Sequence, residues 1–426
     1  MRKILMIFVV LICIVGGVFV ILWEGGMFGE SADGRRSVDN DITEKSPDVS
    51  DNADAADKTT SETIDPNADE KPVDTTETTE DAVSELVDKT MAEMSLHDKV
   101  CQMMFVTPEG LTGTDDVMVA GDATKQALQA YPVGGIIYFA NNFDNVDQTR
   151  DMISNTQSYS KIGLFIATDE EGGRVNRIMD TLGTTYIGPM YDYKDDGPDA
   201  AFENAKTIAS DMSALGFNLD FAPVADVWSN PDNTVIGDRA YSDDYAQAAE
   251  LVGSAVKGFQ DGGVICTLKH FPGHGDTAED SHYSSAYVNR TKAQIMADEM
   301  QPFRTGIDAG AELVMVGHLI VPDIDELPST LSYKIATEML RGDMEFDGVA
   351  ITDSMEMESI ADNYGVADSA VMAVQAGMDM LLQPADLAVA VNAIVTAVQN
   401  GDITEPRIDE SVRRILTLKA ERGLLE

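Results

Sequence analysis

Short apolar runs alternate with longer amphipathic segments through most of this 426-residue chain. Eight such runs lie at 100–106, 134–139, 164–168, 218–224, 264–268, 313–317, 349–352 and 378–382. Segments with helical spacing of apolar residues, such as 200–215 and 387–399, lie between them. Strands that are apolar on both faces are typical of parallel sheets covered by helices. The alternation over residues 82–426 therefore predicts a single (β/α)8 TIM-type barrel.

A doubly wound open sheet is the alternative fold, because it also alternates strands with helices. Eight units exceed what such a sheet usually needs, and no glycine-rich dinucleotide-binding motif follows the first run. The barrel makes a further prediction, since barrel enzymes place their chemistry at the carboxyl ends of the strands. Polar residues do follow five consecutive runs, at Asp169, Asp226, Lys269, His318 and Asp353.

The first 81 residues differ in composition from the rest of the chain. Residues 4–23 form an apolar run preceded by two basic residues, and about twenty such residues cross a bilayer. We interpret residues 1–24 as a transmembrane helix that anchors the body on the extracellular face of the membrane. A cleaved signal peptide, which would make the protein secreted, and a lipoprotein signal at Cys13 are the alternatives. Residues 25–81 are rich in Asp, Glu, Thr and Ser, which predicts a disordered acidic linker.

Charge and cysteine content exclude several functional classes. The formal net charge of −45 argues against nucleic-acid binding, because the phosphate backbone would be repelled. The three cysteines lie far apart and indicate neither a disulfide framework nor a metal site. We expect a monomer that needs no cofactor and no metal.

The densest group of chemically active side chains follows the fifth apolar run. Residues 269–277 read Lys-His-Phe-Pro-Gly-His-Gly-Asp-Thr, and Asp280 and His282 come shortly afterwards. One proline and two glycines within this stretch disfavour a regular strand or helix. The polar residues therefore lie on a predicted loop at the end of a strand, where a proton-transfer group is expected.

His282 is the favoured acid/base on this loop. Asp280 lies two residues before it, and a carboxylate beside an imidazole selects its tautomer and raises its basicity. His274 is the second choice, because its glycine neighbours indicate a role in shaping the turn. A metal held by His270, His274 and Asp276 is an alternative interpretation of the same loop.

The remaining polar residues at the predicted barrel mouth suit a substrate with many hydroxyl groups. Asp169 can accept hydrogen bonds from hydroxyls, and Arg177, Arg239 and Lys269 can donate them. Cleaving a glycosidic bond with retention requires a proton donor and a carboxylate nucleophile on the other side of the sugar ring. Asp353, directly after the seventh run, is the candidate nucleophile.

Two adjacent carboxylates, Glu170 and Glu171, offer an alternative to this assignment. They could supply a rival acid, or they could brace the tight turn expected at Gly172 and Gly173.

Together these motifs resemble glycoside hydrolase family 3, in its β-N-acetylglucosaminidase branch. The stretch 269–277, with the Asp-Ser-His run at 280–282, resembles a motif specific to that branch. Three further stretches, at 169–177, 236–241 and 352–357, are similar to other motifs of the family. The resemblance covers the body from about residue 90 to the end. One departure is the segment 283–288, where many members have a Leu-Pro pair.

The resemblance implies a retaining exo-enzyme, a β-hexosaminidase, that removes terminal β-linked N-acetylglucosamine from oligosaccharides. It implies that Asp353 is the nucleophile and that Asp280 and His282 form the acid/base pair. It also implies sugar-binding roles for Asp169, Arg177, Arg239, Lys269 and His270. The expected substrates are cell-wall muropeptides or chitin-type oligosaccharides. A phosphorylase of the same family and a non-catalytic surface sugar-binding protein are the alternatives.

Overall fold

The structure, a computed structural model, describes residues 75–277 and 286–425. The predicted transmembrane segment and most of the acidic linker lie outside these ranges, as do Asp280 and His282. Within them, no helix combines the length and the apolar character that crossing a bilayer requires.

The described residues form fourteen α-helices and ten strands, with several short 3-10 segments and one π-helix at Lys334–Asp343. The helices are α1 Thr75–Glu93, α2 Leu96–Gln102, α3 Pro108–Thr112, α4 Asp122–Ala130, α5 Val146–Tyr159, α6 Met179–Leu182, α7 Pro198–Leu215, α8 Tyr245–Asp261, α9 Lys292–Ala297, α10 Met300–Asp308, α11 Glu358–Ala361, α12 Val366–Ala376, α13 Leu387–Asn400 and α14 Glu405–Glu421. The strands are β1 Met104–Val106, β2 Gly135–Ile137, β3 Phe165–Thr168, β4 Leu219–Asp220, β5 Thr267–Phe271, β6 Ala286–Tyr287, β7 Leu313–Val316, β8 Leu319–Ile320, β9 Val349–Thr352 and β10 Leu381–Leu382.

All ten described strands pair in parallel: β6 pairs with β8, and the other eight fall at the eight predicted runs. Five form a sheet in the order β10-β1-β2-β3-β4, and three form a sheet in the order β5-β7-β9. The predicted α/β fold is therefore confirmed. The two sheets are open, because no continuous ladder of hydrogen bonds connects their edge strands in the described residues. Isolated parallel bridges join the two sheets at both ends: Leu219–Ile265 and Val224–Lys269 at one end, and Ile351–Met380 at the other.

Two of the predicted strands are displaced along the sequence. In the first run, α2 occupies the chain as far as Gln102, because the Ser95 side chain caps the helix and Asp98 completes a capping box. In the fifth run, the strand begins three residues late, at Thr267, and continues through Lys269 and beyond. The active residues of that motif therefore start on the strand itself and not on the loop after it.

The helices begin where short polar residues can cap them. Asn145, Asp244, Asp386 and Thr404 each accept a hydrogen bond from a backbone N–H in the first turn of the following helix. The helices cover strands whose residues are almost all buried, which matches the near-continuous apolar runs of the sequence. The carboxyl ends of the parallel strands meet at one face, and the polar residues that follow them collect there.

Candidate active site

A cavity of about 870 Å³ opens at the carboxyl ends of the strands. Six of the predicted site residues line it: Asp169, Arg177, Arg239, Lys269, His270 and Asp353. They come from the ends of β3, β5 and β9 and from the loop after β4, which are distant in sequence. The structure thus brings these six predicted residues together at one cavity.

Glu171 is the centre of an ion network on the floor of this cavity. Its two carboxylate oxygens accept from Nε and Nη2 of Arg239, at 2.7 and 2.8 Å, and Oε1 lies 2.6 Å from Nζ of Lys269. Burial by itself would raise the pKa of Glu171, but the two adjacent cations hold it well below its usual range. Glu171 is therefore ionised, and it fixes the positions of two cations that were predicted to bind the sugar.

Asp169 extends the network towards the opening of the cavity. Oδ1 accepts from Nζ of Lys269 at 2.8 Å, and Oδ2 lies 3.7 Å from Nη2 of Arg177. The Arg177 guanidinium lies over the Phe139 ring, 5.5 Å from its centroid, and its buried Nε has no hydrogen-bond partner among the described residues. Burial would lower the pKa of Lys269, but Asp169 and Glu171 raise it, so this ammonium stays charged.

A second buried carboxylate, Asp226, orients two histidines. Oδ2 accepts from the backbone N–H of His270 at 3.1 Å and lies 2.6 Å from its Nδ1. Oδ1 accepts from the backbone N–H of His274 at 2.6 Å. Burial would raise the pKa of Asp226, but His270 and His274 lower it, which favours the carboxylate. Asp226 can therefore hold Nδ1 of His270 protonated while the ring faces the cavity.

His274, the second candidate for the acid/base, is buried. Its Nδ1 lies 2.7 Å from the hydroxyl oxygen of Thr277, and burial lowers its pKa to about 4. The ring does not line the cavity, so His274 supports the loop and does not meet a substrate there. This agrees with the lower rank that its glycine neighbours indicated.

The loop around His274 is tied to the loop after β4. The Asn233 amide donates to the carbonyl of His274 at 2.8 Å, and the backbone N–H of Asn230 donates to the carbonyl of Gly275 at 3.2 Å. A Cβ at Gly275 would come within 1.6 Å of the carbonyl oxygen of Val227. Only glycine permits this approach of two backbones.

Asp353 follows β9 directly, and its backbone N–H donates to the carbonyl of Val316 at 2.9 Å. Its Oδ1 accepts from the backbone N–H of Ser354 at 2.8 Å. His318 supports this turn, because its Nε2 lies 2.8 Å from the carbonyl of Ser354 while its Nδ1 lies 2.8 Å from the hydroxyl of Thr330. Since a carbonyl can only accept, Nε2 carries the proton. His318 is therefore a positioning residue for the segment that carries Asp353.

Glu170 does not act as a rival acid, because it braces the turn. Its carboxylate accepts from the backbone N–H groups of Arg177, Ile178 and Met179, at 2.6, 2.9 and 3.2 Å. It is buried and absent from the cavity lining. Glu171 does line the cavity, so the two adjacent carboxylates have different roles that the sequence did not distinguish.

No group of three or more His, Cys, Asp or Glu side chains within residues 75–277 and 286–425 is placed to hold a metal ion. The alternative that assigned His270, His274 and Asp276 to a metal finds no such arrangement there. The predicted acid/base pair, Asp280 and His282, lies outside the described residues, so its geometry relative to Asp353 stays a prediction.

Sequence reasoning gave no role to Asp226 and did not include Glu356 or Glu358, which also line the cavity. Asp226 could have been found from its position directly after the fourth run. A carboxylate buried there needs hydrogen-bond donors, which His270 and His274 supply. For the two glutamates, the signal was their spacing of three and five residues from Asp353.

Comparison with known proteins agrees with this geometry. Residues 95–418 match the profile of the glycosyl hydrolase family 3 N terminal domain. Beta-hexosaminidase A of Pseudoalteromonas piscicida is 33% identical, over 70% of this chain and 55% of that protein. The beta-hexosaminidase of Idiomarina loihiensis is 34% identical, over 68% of this chain and 88% of that protein.

Among solved structures, a glycoside hydrolase family 3 beta-N-acetylglucosaminidase from Paenibacillus sp. str. FPU-7 superposes with a TM-score of 0.72 at 38% identity. The match covers 78% of this chain and 63% of that one. The chain thus spans little more than half of the Pseudoalteromonas protein and under two thirds of the Paenibacillus one. The profile covers most of the chain, and residues from four of the motifs that resemble the family line one cavity. This chain belongs to glycosyl hydrolase family 3.

Proposed function

We propose that this protein is a retaining exo-β-N-acetylglucosaminidase that removes terminal β-linked N-acetylglucosamine from cell-wall muropeptides or chitin-type oligosaccharides. The observation that carries the proposal is the position of Asp353 in the same cavity as Asp169, Arg177, Arg239, Lys269 and His270. A carboxylate nucleophile and a set of paired ions that can hold hydroxyl groups then face one sugar. The relatives named beta-hexosaminidase support the choice of sugar.

The ion network explains how a sugar would be bound before any bond breaks. Lys269, Arg177 and Asp169 are held by one another and by Glu171, so their donors and acceptors already point into the cavity. Hydroxyl groups of the sugar would add to these contacts without large side-chain movements, which reduces the entropy cost of binding. His270, oriented by Asp226, adds one further polar contact at the wall.

In the proposed mechanism, a carboxylate oxygen of Asp353 attacks the anomeric carbon while the acid donates its proton to the glycosidic oxygen. The aglycone leaves, and a glycosyl-enzyme ester remains on Asp353. A water molecule then attacks the same carbon, gives its proton to the group that acted as the acid, and frees Asp353. We assign the acid/base role to His282 paired with Asp280, on the support of the family motif.

We also propose that the eight parallel strands close into a barrel. The bridges Leu219–Ile265 and Ile351–Met380 support closure, because they join the edge strands of the two sheets at both ends.

An anchored position on the outer face of the membrane is part of the proposal as well, supported by the apolar run 4–23. Removing residues 1–24 should then move the protein from the membrane fraction to the soluble fraction, and an unchanged distribution would contradict the anchor.

The central test compares an aryl N-acetyl-β-glucosaminide with the matching β-glucoside, using the wild type, Asp353→Ala and a control variant, Asp362→Ala. Asp362 is an exposed carboxylate that does not line the cavity. We expect the wild type and the control to prefer the N-acetylglucosaminide, and Asp353→Ala to lose at least about 10³-fold in kcat.

Full activity of Asp353→Ala would remove the nucleophile assignment, and a preference for the glucoside would remove the proposed sugar. NMR of the first-formed product tests retention, which requires the β-anomer. Adding phosphate tests the alternative of phosphorolysis, because a phosphorylase would release sugar-1-phosphate at a rate that depends on phosphate.

A further inference from the structure

We propose that Glu356 and Glu358 determine aglycone specificity, by disfavouring substrates whose sugar next to the scissile bond carries a carboxylate. The inference rests on the proposed function and narrows it. N-acetylmuramic acid in cell-wall fragments that have lost their peptide carries a free lactyl carboxylate in that position, whereas chitin-type oligosaccharides carry none. It predicts a preference for neutral aglycones and for aglycones with a free amino group.

The two glutamates lie on the short segment that begins with the nucleophile. Glu356 and Glu358 both line the cavity together with Asp353, and both are exposed. Met357, which lies between them, is buried, so the backbone presents the two carboxylates outward while the methionine anchors the segment. Partial burial raises the pKa of Glu356, which indicates that its carboxylate lies against the protein surface.

Every cation of the cavity already has a carboxylate partner. Lys269 and Arg239 share Glu171, as described above, and Arg177 lies beside Asp169. Arg174, which also lines the cavity, donates from Nε to Oδ1 of Asp238 at 3.0 Å.

The two glutamates lack such partners. Neither carboxylate has a hydrogen bond or an ion pair to any of the described residues. They therefore place two negative charges in the cavity lining that no ion pair among the described residues offsets.

This imbalance acts on an aglycone more than on the sugar being cleaved. The paired ions on the cavity floor present both signs of charge to the hydroxyl groups of the bound sugar. Glu356 and Glu358 are exposed side chains of the lining, so an aglycone that extends out of the cavity can pass close to them. A carboxylate there is repelled, and an ammonium group is attracted, over distances at which salt screens only partly. The formal charge of −45 on the whole chain adds a field of the same sign.

Arg174 is the group that could oppose this effect. Part of its guanidinium is exposed, but Nη2 donates to the carbonyls of Thr234, Val235 and Ile236 while Nε is held by Asp238. Its charge is therefore paired with that of Asp238, and hydrogen bonds to the loop after β4 fix the position of its guanidinium. If it nevertheless received a substrate carboxylate, the selectivity would reverse, which the experiment can detect.

The experiment measures kcat/KM for three β-linked disaccharides that share a terminal N-acetylglucosamine. The second sugar is N-acetylglucosamine, glucosamine or N-acetylmuramic acid, so it is neutral, cationic or anionic. At low salt we expect the wild type to favour the neutral over the anionic substrate by about three- to tenfold, and the cationic substrate to be at least as good as the neutral one. Added salt should shrink both differences.

The Glu356→Gln/Glu358→Gln variant should bring the ratio of neutral to anionic substrate to within about twofold of one. Arg174→Gln removes a positive charge from the same lining, so it should not lower that ratio. An unchanged ratio in the glutamine variant would overturn the proposal. So would a wild-type preference for the anionic substrate that Arg174→Gln abolishes.

An aryl N-acetyl-β-glucosaminide, assayed in parallel, separates this inference from the proposed function. If the wild type releases no sugar from it or from any disaccharide, the proposed function fails. If the aryl substrate is cleaved and the disaccharide ratio does not depend on the two glutamates, only the specificity proposal fails.

Discussion

Asp220 should be a neutral carboxylic acid at pH 7, and Asp220→Asn tests this. The residue ends β4 and is fully buried beneath the cavity. Oδ1 accepts from the backbone N–H of Glu170 at 3.0 Å, whereas Oδ2 has no hydrogen-bond partner among the described residues. Burial raises its pKa well above 3.8, and Lys269 offsets this only in part because it is bound to other carboxylates.

The magnitudes follow from these contacts. Asparagine has the shape of the protonated acid and keeps an oxygen for the N–H of Glu170, so Asp220→Asn should cost less than about 1 kcal/mol at pH 7. Asp220→Ala removes the acceptor and leaves that N–H buried without a partner, which costs about 1–3 kcal/mol in addition to the cavity that it opens. An ionised Asp220 held by Lys269 would instead make both substitutions costly, because each removes the charge.

The pH dependence of the free energy of unfolding provides a second, independent test. Because the folded state holds this proton more tightly than the unfolded state, the contribution of Asp220 to stability is complete below about pH 3.8 and declines as pH rises towards the folded pKa. The decline is at most about 1.4 kcal/mol per pH unit. Asparagine does not titrate, so Asp220→Asn should gain stability relative to the wild type as the pH rises.

Urea unfolding of the wild type, Asp220→Asn and Asp220→Ala between pH 5 and pH 8 measures both quantities. The reasoning is refuted if Asp220→Asn loses more than about 2 kcal/mol at pH 7 and the loss does not shrink at higher pH. Such a result would mean that the carboxylate is charged in the folded protein.

Three further predictions concern the residues around the cavity. Glu171→Gln should destabilise the fold by about 3–5 kcal/mol in urea unfolding, because it leaves two buried cations without their shared anion. It should also weaken sugar binding. A loss of stability under about 1 kcal/mol would contradict the ion network. Gly275→Ala should lower stability by more than about 2 kcal/mol in thermal unfolding, since its Cβ would overlap the carbonyl of Val227, whereas Gly365→Ala, which has open space, is the matched control and should be nearly neutral. His274 should stay neutral from pH 8 down to about pH 4, so NMR titration of its ring should show no protonation near pH 6.5; because its pKa is lowered on folding, its contribution to stability should be lost as pH falls from 6.5 towards 4.

The order of strands and helices could be read from the sequence because it depends on local patterns. Each of the eight apolar runs contains a parallel strand, since a segment that is apolar on both faces can be buried only between helices. Strand ends were less predictable. The start of β5 at Thr267 depends on its pairing with β7, which has partners at Leu313 and Val314 and is not visible in the run itself.

The sequence also determined the family and six of the residues that line the cavity, because motifs at the ends of strands carry the chemistry of such folds. The pairing of those residues was decided by tertiary structure alone. Glu170 and Glu171 are neighbours, yet one accepts backbone N–H groups of its own turn while the other binds Arg239, 68 residues away. Successive side chains at a strand end point to different sides, so a single step along the chain separates a structural brace from the centre of the ion network.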